Sequence, residues 1–233
     1  MDRDAARGLL DRVTLFKGLG STELDQVLEC ACWRELPNGA ILVRQGEDAR
    51  ELHLVAGGRF KVGTAAPQGS VLIRFMEPGD LIGCAAVFRQ IPYPATATAV
   101  TDSSVLSWTA ERIGEVIRRH PEVAGNALDI VGERTEEMLQ RLREIATEGV
   151  EQRIARAILR LVAQLRAQPG RGAELRLDVS RRDLAELAGV SLYTVSRTLS
   201  GWEPQGIVKG GRQRITIRNP DRLKTIAQGL QPS

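Results

Sequence analysis

The stretch "SRRDLAELAGVSLYTVSRTL", residues 180–199, has the pattern of two short helices joined at a glycine. Ser180 can cap the first helix, because Asp183 follows three residues later and completes a capping box. Gly189 can make the turn, since a positive φ costs little only for glycine. Ser191 then caps the second helix. This pattern predicts a helix-turn-helix, and the alternative is an ordinary helical hairpin.

The second of these helices is expected to have one face that does not pack on the first. Val195 and Leu199 are expected to point back at the first helix, which leaves the opposite face free. Arginine can bond guanine O6 and N7 in the major groove, so Arg197 is the candidate for base readout. Thr198, like Ser191 and Thr194, can serve a phosphate or a base edge. The DNA-contacting residues expected from both helices are Ser180, Arg182, Ser191, Leu192, Tyr193, Thr194, Ser196 and Arg197.

A hairpin is expected just after this element. The stretch "GIVKGGRQRITIR", residues 206–218, reads as two strands around Gly210-Gly211, which predicts a wing. Lys209, Arg212 and Arg214 would contact the DNA backbone and position the protein without specifying sequence. The alternative for each is a solvated hairpin tip.

Charge divides unevenly along the chain. Residues 151–233 hold 15 of the 32 Lys and Arg but only 7 of the 29 Asp and Glu, a net charge of +8. The remaining 17 basic and 22 acidic residues give residues 1–150 a net charge of −5. A basic C-terminal third behind an acidic front indicates that the C-terminal part meets a polyanion such as nucleic acid. The alternative is a generic charged surface.

The front of the chain has a different texture. Residues 1–35 look like short helices, one of them capped by Ser21. From residue 36 to 109, glycines and prolines separate short β-like runs, which predicts a small antiparallel roll or barrel. The clearest runs are residues 40–43, 51–56, 59–64, 70–76, 96–101 and 104–108.

A helical pattern begins at residue 110 and includes a heptad-like seam. Apolar positions from Ala124 to Ile145 alternate steps of four and three, with charged residues on the flanks. The alternative is an amphipathic helix packed on its own domain, but the sustained spacing favours a homodimer. The predicted dimer seam is Leu128, Val131, Thr135, Met138, Leu142 and Ile145. Gly149 separates this helix from a second helix that follows.

Other features exclude several classes of protein. The N-terminus lacks an apolar signal region and no apolar run is long enough to span a bilayer, so we expect a cytoplasmic protein without a membrane partner. Three cysteines do not make a disulfide framework. Two isolated histidines, with no P-loop and no nucleophile elbow, indicate that the protein is not an enzyme. A regulated enzyme and a pure dimerisation module are the rival classes.

Together these parts resemble the cAMP receptor protein/FNR superfamily of bacterial transcription regulators, across nearly the whole chain. The resemblance is specific in "VRQGE" at residues 43–47, in "EPGDLIG" at residues 77–83 and in the helix-turn-helix. It implies an α+β fold with a cyclic-nucleotide-binding-like β-roll over residues 1–122. A dimerisation helix over 123–147 and a winged helix-turn-helix over 148–233 would follow.

Members of the family are homodimers that sense a signal with the front domain, bind a two-fold-symmetric operator and recruit RNA polymerase. In the FNR-like branch, a serine-arginine pair like Ser196-Arg197 reads a TTG-like half-site. Tyr193 departs from the glutamate that many relatives use for base readout, and Leu192 departs from the arginine of some. Glutamate accepts a hydrogen bond from cytosine N4, which tyrosine does not do in the same way.

The resemblance also locates an effector region in residues 83–100. The family's cyclic-nucleotide site uses a glutamate where this chain has Cys84 and an arginine-serine pair where it has Pro94-Ala95. Arg89 is nearby but misplaced, and a buried phosphate without its cation is unfavourable, so the sequence argues against cAMP. We expect a pocket that binds an unidentified effector. Its lining would consist of Gly83, Cys84, Ala85, Ala86, Ala95, Thr96, Met138 and Leu139.

Two further signals stay open. The stretch "YPATATAV" resembles nitric-oxide-responsive relatives, so haem is an open alternative, with His53 or Cys84 as axial ligand and Met138 or His120 as further candidates. An iron–sulfur cluster needs four thiolates, and Cys30, Cys32 and Cys84 are one short. A redox role for these cysteines ranks second to a small molecule or gas, and their plainest role is as small buried hydrophobic residues.

Overall fold

The computed structural model describes residues 3–66, 69–166, 175–211 and 213–230. The chain divides into two compact units, Met1–Glu137 and Met138–Ser233. The division falls inside a continuous helix, Pro121–Thr147, whose start lies two residues before the predicted one. The predicted domain boundaries therefore stay predictions.

The first unit begins with helices α1 (Arg3–Leu10) and α2 (Ser21–Glu29), joined through a 3-10 turn at Thr14–Phe16. The cap of α2 is Gly20 and not Ser21, because the Glu23 carboxylate accepts a hydrogen bond from the Gly20 backbone N–H. Ser21 is already inside the helix. The prediction was wrong by one position.

The predicted antiparallel roll is present as two four-stranded sheets. One has the strand order β1-β8-β3-β6 and the other β2-β7-β4-β5, with every pairing antiparallel. The strands are β1 (Cys32–Leu36), β2 (Ile41–Val43), β3 (Glu51–Gly57), β4 (Phe60–Ala66), β5 (Gly69–Met76), β6 (Leu81–Ile82), β7 (Thr96–Ala99) and β8 (Ser103–Thr109).

Two strands of the roll were not predicted. Strand β1 lies within the region expected to be helical, and four of its five residues are exposed, so it has no alternating apolar signal. Strand β6 has only two residues and follows the turn at Pro78-Gly79. Both are held by pairing with β8 or β3, which are distant in the sequence.

The roll has apolar clusters on both faces of its β1-β8-β3-β6 sheet. Leu52 and Leu54 of β3 join the cluster beneath α1 and α2, whereas Val55 joins the cluster inside the roll. Trp108 anchors the first cluster, because it is fully buried and its indole N–H donates to the Val27 carbonyl at 2.8 Å. The sheet is therefore covered on one side by the N-terminal helices.

Three more helices belong wholly or partly to this unit: α3 (Cys84–Arg89), α4 (Ala110–Arg119) and α5 (Pro121–Thr147). The Thr109 hydroxyl caps α4 by accepting from the Arg112 backbone N–H at 3.2 Å. Val123 and Ala127 bury one face of α5 in the cluster beneath α1 and α2. The first turns of α5 are thereby fixed to the roll.

The second unit contains the end of α5 and the predicted helix-turn-helix with its wing. Its further elements are α6 (Val150–Arg166), β9 (Arg176–Leu177), α7 (Arg181–Ala188), α8 (Leu192–Trp202), β10 (Val208–Gly211), β11 (Arg214–Ile217) and α9 (Pro220–Ala227). The three strands form one antiparallel sheet in the order β10-β11-β9. Helix α9 was not predicted, and it packs on α6.

An ion pair ties the end of α5 to α6. Glu144 is buried and receives two hydrogen bonds from Arg160, at 2.6 and 2.8 Å. Arg156 pairs in the same way with Glu148 at 2.7 Å. A buried carboxylate is tolerated only when it is paired and hydrogen-bonded, so these arginines orient α6 against the end of α5.

Candidate nucleic-acid interface and effector region

The first helix of the pair begins and ends as its sequence predicts. The Ser180 hydroxyl accepts from the Asp183 backbone N–H at 3.0 Å, and the Asp183 carboxylate accepts from the Ser180 backbone N–H at 3.3 Å. Gly189 ends the helix with φ +63°, in the left-handed region that favours glycine. The capping box and the glycine turn are both confirmed.

The second helix, α8, is capped by Ser191, whose hydroxyl accepts from the Thr194 backbone N–H at 3.1 Å. Val195 and Leu199 are fully buried, as the pattern predicts, so they fix the rotation of α8. Thr198 is only 8% exposed, and it lines a groove beside α8. Its expected contact with a phosphate or a base edge stays a prediction.

The outer face of α8 is open. Tyr193 is 74% exposed, Leu192 and Arg197 are also exposed, and Thr194 and Ser196 are half-buried. Within the part of the chain that the structure describes, no hydrogen bond or ion pair engages the Arg197 side chain. The guanidinium of Arg197 is thus exposed on the outer face of α8, and an arginine side chain in the major groove can bond guanine bidentately.

Basic side chains flank α8 on two elements. Arg182 is exposed on α7, with a loose 3.7 Å ion pair to Glu186. On the wing, Lys209 is exposed and Arg214 approaches Asp178 at 3.4 Å. These exposed pairs contribute little stability, so the cations can exchange their partners for phosphates.

The tip of the wing differs from the prediction. Gly210 and Gly211 lie inside β10, where they pair with Ile215 and Arg214. The turn falls after them and includes Gln213 at φ +55°. Arg212, predicted as a backbone contact, lies outside the described residues. The predicted turn is misplaced because paired glycines are typical of turns in a sequence, whereas here they lie in a strand.

The expected effector pocket begins at a tight turn. Gly83 has φ +90°, and an added Cβ would come within 2.9 Å of the Tyr93 ring, so glycine is required there. Cys84 and Ala86 are buried, and Ala85 is half-buried. Burial raises the pKa of the Cys84 thiol to about 12. The thiol therefore stays protonated and is a poor metal ligand or nucleophile.

The segment after α3 offers little to a cyclic phosphate. Ala95 is buried and Thr96 is half-buried, while Tyr93 fills the interior of the roll and bonds the Glu51 carbonyl at 2.6 Å. Across residues 83–96 the only charged side chain is Arg89, exposed at the end of α3. These residues do not fit the family's way of binding cAMP, because the cation of the arginine-serine pair is absent.

Four charged side chains join the roll to α5 inside the first unit. Arg74 of β5 contacts Asp80 at 3.6 Å and Glu137 at 3.3 Å. Arg134 of α5 contacts the same two carboxylates at 3.6 and 3.3 Å. Burial raises the pKa of Asp80, against the opposing effect of Arg74. We call these residues the charge network.

The two candidate haem ligands in the roll face different clusters. His53 lies between Leu52 and Leu54 on β3, so it points to the opposite side of the sheet from them, and its Nδ1 is 2.8 Å from the Ser107 hydroxyl oxygen. Cys84 belongs to the cluster that contains Leu52 and Leu54. His53 and Cys84 therefore do not face a common site and do not fit a haem iron as two axial ligands. Haem stays an untested prediction.

The other thiols and metal candidates are scattered. Cys30, at the end of α2, is half-buried, and Cys32, at the start of β1, is exposed. His120, half-buried after α4, lies 3.9 Å from Glu122. Over the described ranges, no three His, Cys, Asp or Glu side chains gather as a metal site. The helices that the structure describes also include none long and apolar enough to cross a membrane.

The predicted seam on α5 is uncovered. Leu128, Met138, Leu142 and Ile145 are between 57 and 73% exposed, and so is the neighbouring Leu139. Thr135 is exposed, and Val131 is half-buried. The side of α5 that packs on the roll is a different one, through Val123 and Ala127. In the first unit, the seam is therefore not packed on its own domain, which was the alternative.

A capped helix pair with an exposed arginine-bearing face and an adjoining three-stranded wing defines a winged helix-turn-helix DNA-binding protein. Residues 152–226 match the Crp-like helix-turn-helix domain family, and residues 33–120 match the cyclic nucleotide-binding domain family. The chain is 31% identical to the cyclic AMP receptor protein of Thermus thermophilus, over 93% of this chain and 97% of the relative.

Two further relatives agree. The fumarate and nitrate reduction regulatory protein of Salmonella typhimurium is 24% identical over 88% of this chain and 81% of its own. The structure of FixK2 from Bradyrhizobium japonicum shares the fold, with a TM-score of 0.73 and 22% identity over 87% of this chain and 98% of that one. The chain belongs to the cAMP receptor protein/FNR family of DNA-binding transcription regulators. Its assignment to the FNR-like branch stays a prediction.

Proposed function

We propose that the protein is a homodimeric, sequence-specific transcription regulator that is switched by a signal at the roll. The exposed face of α8 carries this proposal, because Arg197, which no described residue pairs, is flanked by basic side chains and has the chemistry of base readout plus phosphate positioning. The DNA surface would consist of Ser180, Arg182, Ser191, Leu192, Tyr193, Thr194, Ser196, Arg197, Lys209, Arg212 and Arg214.

The uncovered seam on α5 supports the homodimer. Exposed apolar side chains spaced as in a coiled coil are unfavourable in water, and a second copy of the helix would bury them. Two recognition helices related by a two-fold axis would then read half-sites about 34 Å apart. Recruitment of RNA polymerase and a cytoplasmic location complete the proposal, which includes no enzymatic activity.

The effector enters the proposal as an unidentified small molecule, gas or redox signal. The charge network supports the junction of the roll and α5 as its place of action, since Arg74 of the roll pairs with Glu137 of α5 and Asp80 pairs with Arg134. A ligand that competes for one of these charges would change how α5 is held. Haem-based sensing of nitric oxide or carbon monoxide is the alternative, and cAMP ranks below both for lack of a phosphate-binding cation.

The DNA-binding proposal is tested with the full-length protein and a duplex selected from a random pool. Substitution Arg197→Ala should lower discrimination between that duplex and a scrambled one by about 1–3 kcal/mol, because a bidentate base contact is lost. Arg182→Ala, the matched control, should weaken both duplexes alike. Undiminished discrimination by Arg197→Ala would overturn the assignment.

A further inference from the structure

A groove of about 390 Å³ lies beside α8, and its lining includes no described residue of α7 or the wing. Its walls come from three helices of the second unit: α8, the first turn of α6 and α9. Arg197 and Gly201 line it from α8, Glu151 from α6 and Arg222 from α9. The same arginine that is exposed for base readout therefore also borders this groove.

The groove contains two cations and one carboxylate. Arg222 is half-buried, and the described residues supply its guanidinium with no hydrogen bond or ion pair. Glu151 is exposed and likewise has no such partner within the described ranges. The groove thus carries a net positive charge that the described residues of the second unit do not neutralise, which suits an anion.

Helix α9 holds Arg222 in place. Asn219 caps this helix by accepting from the Arg222 backbone N–H at 2.9 Å. Leu223 and Ala227 are buried, which fixes α9 on the second unit. Gln205, which also lines the groove, donates to the Gly201 carbonyl at 2.8 Å and so is turned back on α8. The backbone of Arg222 is therefore fixed at the groove, and Gly201 adds no side chain to the opposite wall.

We propose that Arg222 binds a backbone phosphate of the DNA beside the base pair that Arg197 reads. This inference rests on the proposed reading of DNA by α8. A helix in the major groove has a phosphodiester strand on each side, and a guanidinium in the lateral groove would face one of them. Bidentate bonding to phosphate suits the planar fork of arginine. Helix α9 thereby joins α7 and the wing as a DNA-contacting element.

The test measures binding of full-length variants to the selected duplex and to a scrambled duplex over a range of salt. Substitution Arg222→Ala should weaken both duplexes by the same factor and make the slope of log K against log salt shallower by about 0.9, the loss of one phosphate contact. The control is Lys224→Ala on the same helix, which removes the same charge from an exposed side chain paired with Asp221 at 2.8 Å. It should leave the slope unchanged.

Substitution Glu151→Gln gives a test of opposite sign. Removing the carboxylate from the groove should strengthen binding to both duplexes, and this gain should vanish in the presence of Arg222→Ala. If Arg222→Ala behaves like Lys224→Ala while wild type binds the selected duplex, the Arg222 proposal is overturned and the function of α8 stands. If wild type selects no duplex, the proposed function itself is overturned.

Discussion

At the scale of single residues, His53 shows what a strand environment does to an ionisable group. The side chain is 1% exposed, with Nδ1 2.8 Å from the Ser107 hydroxyl oxygen. Burial, together with the positive charge of Arg34, lowers the pKa of His53 to about 4. The imidazole is therefore neutral at physiological pH, and the roll contains a histidine that resists protonation.

This lowered pKa predicts acid sensitivity of the fold. At this histidine the unfolded chain takes up a proton near pH 6.5 and the folded chain only near pH 4. The contribution of neutral His53 to the free energy of unfolding is therefore complete above pH 6.5 and declines as the pH falls to 4. The expected loss of unfolding free energy over this window is about 3 kcal/mol. Urea unfolding from pH 7 to 4 measures it.

The substitution His53→Gln should flatten this pH dependence whatever its effect at pH 7, because the titrating group is gone. His120→Gln, at the other histidine, is the control and should preserve the slope between pH 6.5 and 4. Equal slopes for wild type and His53→Gln would show that another group is responsible.

At the scale of elements, α5 has a buried face and an uncovered apolar face on one helix. Val123 and Ala127 are buried in the first unit, while the seam positions lie uncovered on another face. The 4-3 spacing in the sequence identified the seam because a helix brings residues three and four apart onto one stripe. The packing of Val123 and Ala127 depends on distant α1 and α2, and the spacing contains no information about it.

We expect Leu142→Glu to convert the dimer to a monomer. A carboxylate at an apolar seam position would meet its own copy across the two-fold axis, and the like charges would lose their hydration on association. Sedimentation velocity measures the change, which should be accompanied by weaker operator binding. Glu136→Ala, at an exposed flank of the same helix, should remain dimeric. A dimeric Leu142→Glu protein, or a monomeric wild type, would contradict the proposed seam.

At the scale of the whole molecule, the proposed regulator must convert an effector signal into a change of DNA binding. Moving a two-state population from mostly inactive to mostly active requires about 5.5 kcal/mol of differential binding between the states. The effector has to contact groups that differ between them, and we propose the charge network as the place of such groups. Strong binding that is equal in both states would change nothing.

The absorption spectrum of the freshly purified protein separates the classes of effector. We expect absorption from the protein alone, because His53 points to one side of the β1-β8-β3-β6 sheet, Cys84 of α3 packs in the cluster on the other side, and the Cys84 thiol stays protonated. Cys84→Ser is the matched control and should leave the spectrum unchanged. A Soret band in wild type would establish haem instead, and its loss in Cys84→Ser would identify the ligand.

Local signals in the sequence determined the caps of α7, the cap of α8, the Gly189 turn and most strands of the roll, since each depends on residues a few positions apart. Strands β1 and β6 could not be predicted, because each exists only through pairing with β8 or β3. The same holds for the burial of Thr198 and the shift of the wing turn beyond Gly210 and Gly211. Only the tertiary structure decided these, because burial and strand register depend on partners far along the chain.

The DNA-binding site divides in the same way. Arg197 could be chosen from the sequence, because helix periodicity places it opposite the buried Val195 and Leu199. Arg222 could not, because 25 positions separate it from Arg197 and only the packing of α9 brings both to one groove. The sequence by itself determined the class of protein and its helix-turn-helix. The tertiary structure decided which other charges stand beside that helix, since proximity in space arises from packing and not from order along the chain.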